Sequence, residues 1–260
     1  MSKTTICIAI LLAWIPLAAM ADHLEVRRNA GIYADPNRNS EQIEMIRPDD
    51  FDYLIILHPL QEDLENGYYN VRLREGVGDG WVYKSRVRRF RDGEGSYVPY
   101  KRKLYGSGWT DADRDCQKTR AEVLIRDDDD GSVTFATSRN CRVTGGTWLD
   151  PFTGSSFTIA SDLDIDHIVP LKNAHESGGW AWSSERKRDY ANNLLNESHL
   201  LAVDDSQNQS KGAKGPDQYL PPNNSFHCEY VRIWLGIKYE WGLRIPEAEM
   251  AAIDSVLDRC

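Results

Sequence analysis

Asp162-Leu-Asp-Ile-Asp-His-Ile-Val-Pro-Leu171 is the stretch that decides how this chain reads. As an extended strand it sends Leu163 and Ile165 into a core. Asp162, Asp164 and Asp166 then share the opposite face, because strand side chains alternate with a period of two. Three carboxylates on one face repel one another unless a cation or hydrogen-bond donors sit between them. His167 points to the opposite side if the strand continues; Val169-Pro170 permits a turn there that would let Asp166 and His167 border one cleft. A hard carboxylate oxygen there suits Mg2+, Mn2+ or Ca2+. A neutral imidazole beside it can take a proton from water near pH 7.

Downstream, His199-Leu-Leu-Ala-Val-Asp-Asp-Ser-Gln-Asn208-Gln-Ser-Lys211-Gly212 adds a second histidine and an amide. Phosphodiester hydrolysis needs a base for the attacking water, charge stabilisation at phosphorus and neutralisation of the leaving alkoxide. His167 can supply the first, and a divalent cation the other two. Asn208 can complete the shell of that cation without adding charge; its alternative is to cap a helix.

Asp164-Ile-Asp-His167-Ile-Val-Pro-Leu171, His199 and Asn208-Gln-Ser-Lys-Gly212 together resemble the HNH endonuclease motif of the ββα-metal superfamily. The resemblance narrows to the HNH domain of secreted bacterial nucleases through Ala174-His-Glu-Ser-Gly178, Trp182, Arg186, Tyr190-Ala-Asn192, Pro216 and Tyr219-Leu-Pro-Pro222. It covers residues 105–258. It implies that His167 is the general base, and that Asp166 and Asn208 are ligands of Mg2+ (or Mn2+ or Ca2+), with Asp164 supporting the shell. His199 stands at the middle position, more often Asn in the superfamily, and either orients the motif or contacts phosphate. Lys211 is expected to meet a non-bridging phosphate oxygen. Arg186 and Lys214 are expected along the substrate, with a solvated helix face as the alternative for Arg186-Lys187-Arg188. The implied activity is cutting of DNA, and possible cutting of RNA, with low sequence specificity and 5′-phosphate products. His175 and His227 read as structural.

The rest of the chain sets the context. Residues 1–21 read as a secretory signal, with Lys3, the apolar run Ile6–Leu17 and the small-residue site Ala19-Met-Ala21. The run is short for a membrane span, so the expected mature chain starts near Asp22 and is secreted or periplasmic. A retained anchor is the alternative. The net charge of −9 argues against a protein that coats nucleic acid through a global basic field. After Cys7, four cysteines remain, an even number suited to an exported chain. Of the possible pairings, Cys116–Cys141 and Cys228–Cys260 are favoured because each clips one short unit. No Cys-x-x-Cys occurs, which disfavours a structural zinc knuckle.

The expected fold class is α+β, a small all-β barrel followed by a nuclease domain with a hairpin and C-terminal helices. Residues 22–90 alternate as short strands, as in Tyr69–Arg74, with a glycine turn at 76–80 before Trp81-Val-Tyr83. Their order resembles a bacterial SH3-like domain, which implies a cell-wall or peptide ligand; a spacer is the alternative. Residues 91–104, with Lys101, Arg102 and Lys103, read as a solvated linker, and residues 105–260 as the nuclease domain. Glu122–Ile125 and Ser132–Ala136 read as a hairpin around the acidic turn 127–131. Tyr230, Ile233, Trp234, Ile237 and Trp241 predict a helix stopped by Gly242, and Pro246 starts another. Two other functions compete with the nuclease. One is a non-enzymatic envelope protein that uses the SH3-like unit. The other is a zinc hydrolase on His167, His175 and His199, which lacks a His-Glu-x-x-His spacing.

Overall fold

The computed structural model describes residues 22–73, 78–91 and 93–260. The expected leader, Arg74 and part of the glycine turn lie outside the described residues. The chain mixes strands and helices in two units, as the α+β expectation requires.

The first unit holds β1 (Asp22–Val26), β2 (Ala30–Tyr33), β3 (Gln42–Ile46), β4 (Ile56–Pro59), β5 (Tyr68–Arg72), β6 (Asp79–Tyr83) and β7 (Val87–Arg91). They form one antiparallel sheet in the order β3-β2-β6-β5-β4-β1-β7. Alternation is plain in β6, where Gly80 and Val82 face inward and Asp79 and Tyr83 face solvent. Leu24, Val26, Ile32, Val71 and Val82 make the centre of its core. A Cβ on Gly80 would stand 2.4 Å from Ile32 Cγ2, so β2 and β6 approach there only because the residue is glycine.

The second unit begins with α1 (Thr119–Arg126), followed by β8 (Thr134–Phe135), β9 (Val143–Leu149), β10 (Ser156–Ile159) and β11 (Leu163–His167). Next come α2 (Leu171–Glu176), α3 (Ser184–Ala191), β12 (Leu200–Asp204), α4 (Asp205–Lys211), α5 (His227–Glu240) and α6 (Glu247–Leu257). Strands β10-β9-β8 form one small sheet, and β11 pairs antiparallel with β12 as a separate ribbon. Glu122–Ile125 is therefore helix, not the first arm of a hairpin, and Thr134–Phe135 pairs with β9 instead. A four-residue apolar run carries no period of its own. Here Ala121, Glu122, Leu124 and Arg126 favour helix, while Ala121, Val123 and Leu124 are buried against the ribbon.

The C-terminal helices follow the predicted spacing. Tyr230, Trp234 and Ile237 are fully buried along α5. Gly242, at φ 64°, ends the helix, and Pro246 stands immediately before α6. Each large apolar side chain buried this way contributes roughly 1.5–3 kcal/mol. Disulfides join Cys116 to Cys141 and Cys228 to Cys260.

The stretch 91–104 is not a solvated linker throughout. The Ser96 N–H donates to buried Glu25 at 3.0 Å. Tyr97 and Tyr100 pack their rings against His175, and the Val98 carbonyl accepts from His175 Nε2 at 2.6 Å. Aromatic residues among the charges give this segment a face to bury. The two units also meet where His23 packs on Trp180 and Arg186 lies over Tyr53. Among the described residues, no helix is long and apolar enough to cross a membrane.

Candidate active site

The ribbon β11–β12 and helix α4 bring Asp164, Asp166, Asn208 and Lys211 together, but β11 continues without a turn through His167, which follows the Leu163 and Ile165 side of the strand and stacks on Trp109. Ile165 pairs with Ala202 and His167 with Leu200. Leu163, Ile165, Leu200 and Ala202 bury one face of the ribbon against α1 and β9. Helix α1 grips this ribbon from both strands. Arg120 donates to the Ala160 and Leu163 carbonyls at 2.9 and 2.7 Å. Arg126 donates to the Leu200 carbonyl at 2.5 Å, and Asp127 accepts from the Ala202 N–H at 2.9 Å.

Asp164 and Asp166 take the other face, toward α4. Asp162 does not join them; it lies exposed in the turn before the strand. Asp204 caps α4 by accepting from the Gln207 N–H at 2.9 Å, so Asn208 is not the cap. Asn208 sits one turn inside and donates from Nδ2 to Asp164 Oδ2 at 3.0 Å. That assignment of the amide follows from the acceptor-only carboxylate, and it leaves the amide oxygen for another partner.

Lys211 lies on the same side of α4, three residues on. Its expected contact with a substrate phosphate does not match its place, because the side chain is fully buried. Nζ donates to Asp166 Oδ1 and to the His167 carbonyl, each at 2.9 Å. A long cation at the end of a short helix has reached inward to the nearest carboxylate. Burial pushes the Asp166 carboxyl up and the Lys211 ammonium down, and each partner's charge opposes that drift. Asp166 Oδ2 lies 2.8 Å from the same Nζ, so the ammonium is paired with both oxygens of this buried carboxylate. The carboxylates of Asp164 and Asp166 and the amide of Asn208 offer hard oxygen donors of the kind that would suit Mg2+, Mn2+ or Ca2+.

His167 is 6% exposed, and its Nε2 lies 3.0 Å from the Ala191 carbonyl. A carbonyl only accepts, so Nε2 carries the proton and Nδ1 carries the lone pair. Burial drives the imidazole well below its ordinary pKa, helped by His199, Arg102 and Lys211 and opposed by the Ala191 bond. The ring is therefore neutral near pH 7, the form a base needs. His199 is almost fully buried, donates from Nε2 to the Tyr190 carbonyl at 2.8 Å and is held at a pKa of about 4 by burial.

A family described as GmrSD restriction endonucleases, C-terminal domain, matches residues 119–253, just over half of the chain. The chain belongs to this family. Membership places the second unit among nucleases, and every residue of the cluster from Asp164 to Lys211 falls within the GmrSD-type domain. A protein of Arthroderma benhamiae, described as an uncharacterized secreted protein, is 40% identical over 142 residues, covering 55% of this chain and 67% of its own. No solved structure matches the chain.

Other marked residues stand apart from the cluster of the GmrSD-type domain. Arg186 lies over the rings of Tyr53, Trp182 and Trp241 at 4.8, 5.3 and 5.0 Å and lines a cavity of about 970 Å³ between the two units. A guanidinium is flat and weakly hydrated enough to be packed among aromatics, and the sequence triplet of basic residues gives no sign of that. Lys214 is exposed just after α4, with Nζ on the Ser210 carbonyl at 2.8 Å. His175 is fully buried and His227 donates to the Pro221 carbonyl at 2.7 Å, both in structural roles.

Sequence reasoning missed the carbonyls of Tyr190 and Ala191, which have no side-chain signature. It also missed Trp109, whose indole stacks on His167 with ring centroids 5.4 Å apart. A further acidic group, Asp111, Asp113 and Asp115, brings its oxygens within 4.8 Å of one another in the loop that carries Trp109. Its alternate-residue spacing was the available signal.

Proposed function

We propose that this chain is an exported, metal-dependent endonuclease that hydrolyses phosphodiester bonds of DNA with low sequence specificity. The observation that carries the reading is the hydrogen bond from His167 Nε2 to the Ala191 carbonyl, which leaves the Nδ1 lone pair of a neutral imidazole as the base, one residue after the Asp166 carboxylate. In this reading β11, β12 and α4 are the ββα unit of an HNH nuclease. Asp166 and Asn208 hold the cation, and Asp164 orients the Asn208 amide. When bound, Mg2+ supplies electrostatic stabilisation of the phosphorane and of the departing alkoxide.

The chain's own groups do the remaining work. His167 Nδ1 accepts the proton of the attacking water. The Ala191 carbonyl keeps the other ring nitrogen protonated and stabilises the imidazolium that forms. Lys211 holds Asp166 in place as its counter-ion, and His199 ties the end of α3 to the ribbon. Arg102, exposed and close enough to bias the His167 charge, and exposed Lys214 are the cations assigned here to the phosphate backbone. The seven-stranded unit is read as SH3-like, with a cell-wall or peptide ligand. Export is supported by the two disulfides and by the secreted description of the Arthroderma relative.

The test is plasmid and single-stranded substrates with purified protein in Mg2+, Mn2+ or Ca2+. Wild type is expected to nick and linearise DNA, and His167→Ala to lose about 10²- to 10⁴-fold in rate. Equal, negligible cutting by both across all metals overturns the proposal.

A further inference from the structure

Trp109 lies half-buried on the loop between Tyr105 and α1, before the acidic triplet. Its indole is nearly parallel to the His167 imidazole, 14° off, with centroids 5.4 Å apart. The Tyr190 ring is also nearly parallel to that imidazole, at 6.4 Å and 9°. The hydrogen bond from Nε2 to the Ala191 carbonyl fixes one atom of the ring. It leaves the ring able to turn about that bond, which would swing Nδ1 away from a bound water. A flat neighbour held against the ring removes this rotation.

The neighbour is itself anchored beside the same point. The Thr110 N–H donates to Asn192 Oδ1 at 2.9 Å, and Thr119 Oγ1 donates to that oxygen at 3.0 Å. The Thr119 N–H closes the neck of the loop by donating to the Thr110 carbonyl at 2.8 Å. Three consecutive residues at the end of α3 therefore act together. Tyr190 holds His199 and Ala191 holds His167 through their carbonyls, while Asn192 holds the Trp109 loop.

We infer that Trp109 is a positioning residue for His167, its indole fixing the plane in which Nδ1 faces the attacking water. The inference rests on the reading of His167 as the general base. Trp109 takes no part in proton transfer and lies outside the span matched by the GmrSD family. Its effect belongs in the chemical step and not in affinity for nucleic acid, because what it touches is the base.

The experiment compares full-length wild type, Trp109→Ala, Trp109→Leu and Trp109→Phe on a labelled duplex oligonucleotide at saturating Mg2+. Far-ultraviolet circular dichroism confirms the fold of each variant. Loss of orientation is expected to lower kcat about 10- to 100-fold in the Ala and Leu variants, with KM within about twofold. Phe, which keeps a flat face, is expected to restore kcat to within about threefold of wild type. Leu keeps apolar volume without the face, so the Leu–Phe contrast decides the matter if Ala does not fold. Unchanged kcat in Leu overturns the inference. So does a rise in KM at constant kcat, which would make the indole a platform for bases, and so does a Phe variant no better than Leu. Absence of cutting by wild type is a different result, since it removes the reading of His167 itself.

Discussion

Two lysines of the second unit are fully buried and each faces a carboxylate, yet the two regions around them differ. Lys238, on α5, donates to Asn173 Oδ1 at 2.6 Å, to Ser177 Oγ at 2.7 Å and to the Arg244 carbonyl at 3.0 Å. It also lies 3.3 Å from Glu249. Glu249 in turn accepts from Trp234 Nε1 at 2.7 Å and Asn173 Nδ2 at 3.4 Å. Every charged atom there has a partner, as burial demands. Lys211, on α4, contacts both oxygens of Asp166 at 2.9 and 2.8 Å and donates to the His167 carbonyl, and among the described residues no second donor reaches that carboxylate. A saturated buried pair ties α2, α5 and α6 together. A carboxylate held by one lysine, next in sequence to a histidine with a directed lone pair, keeps lone pairs for a further ligand.

The largest effects come from breaking each pair in turn. Lys238→Met and Lys211→Met both strand a buried carboxylate, so each is expected to cost about 3–5 kcal/mol of stability in chemical denaturation. The two diverge in turnover. Lys238→Met, assayed where it is folded, should retain wild-type kcat, whereas Lys211→Met should lose Asp166 geometry and fall about 100-fold. Equal losses of kcat in the two variants would erase the distinction between the regions.

A smaller effect concerns pH. His199 has its folded pKa depressed from 6.5 to about 4 by burial. Its neutral form therefore contributes stability that is fully present above pH 6.5 and is lost as pH falls toward 4, roughly 3 kcal/mol in all. Urea midpoints across that window should drop less steeply in His199→Asn than in wild type. Parallel slopes would show that His199 is not buried as a neutral ring.

The smallest effects test residues outside the cluster. Arg186→Ala should remove about 1–2 kcal/mol of stability through its lost aromatic contacts, with kcat unchanged. Lys214→Ala should leave stability within about 0.5 kcal/mol and lower the salt slope of DNA binding by about one. If Arg186→Ala instead shifts the salt slope, that guanidinium meets the substrate after all.

What could be read beforehand followed local regularity. The alternation of Leu163, Asp164, Ile165 and Asp166 matches the ribbon, and the spacing from Tyr230 to Trp241 matches α5, because one buried face imposes a period. Proximity of Asn208 to Asp164 came from resemblance, since no spacing rule brings residues forty-odd positions apart together. Glu122–Ile125 is too short to show a period, so its place in α1 is not legible from the sequence. The inward turn of Lys211 and the aromatic packing of Arg186 depend on neighbours distant in sequence. The carbonyls that orient His167 and His199 belong to the backbone, which every residue shares.

The proposed function turns on Asp166 as a cation ligand beside the base. Anomalous diffraction from crystals grown with Mn2+ tests it most directly. The expected result is an ion bonded to Asp166 and Asn208, with Nδ1 of His167 facing the same pocket. Mn2+ found only elsewhere, in crystals of protein that still cuts DNA, with Asp166 bonded to Lys211 alone, would contradict it.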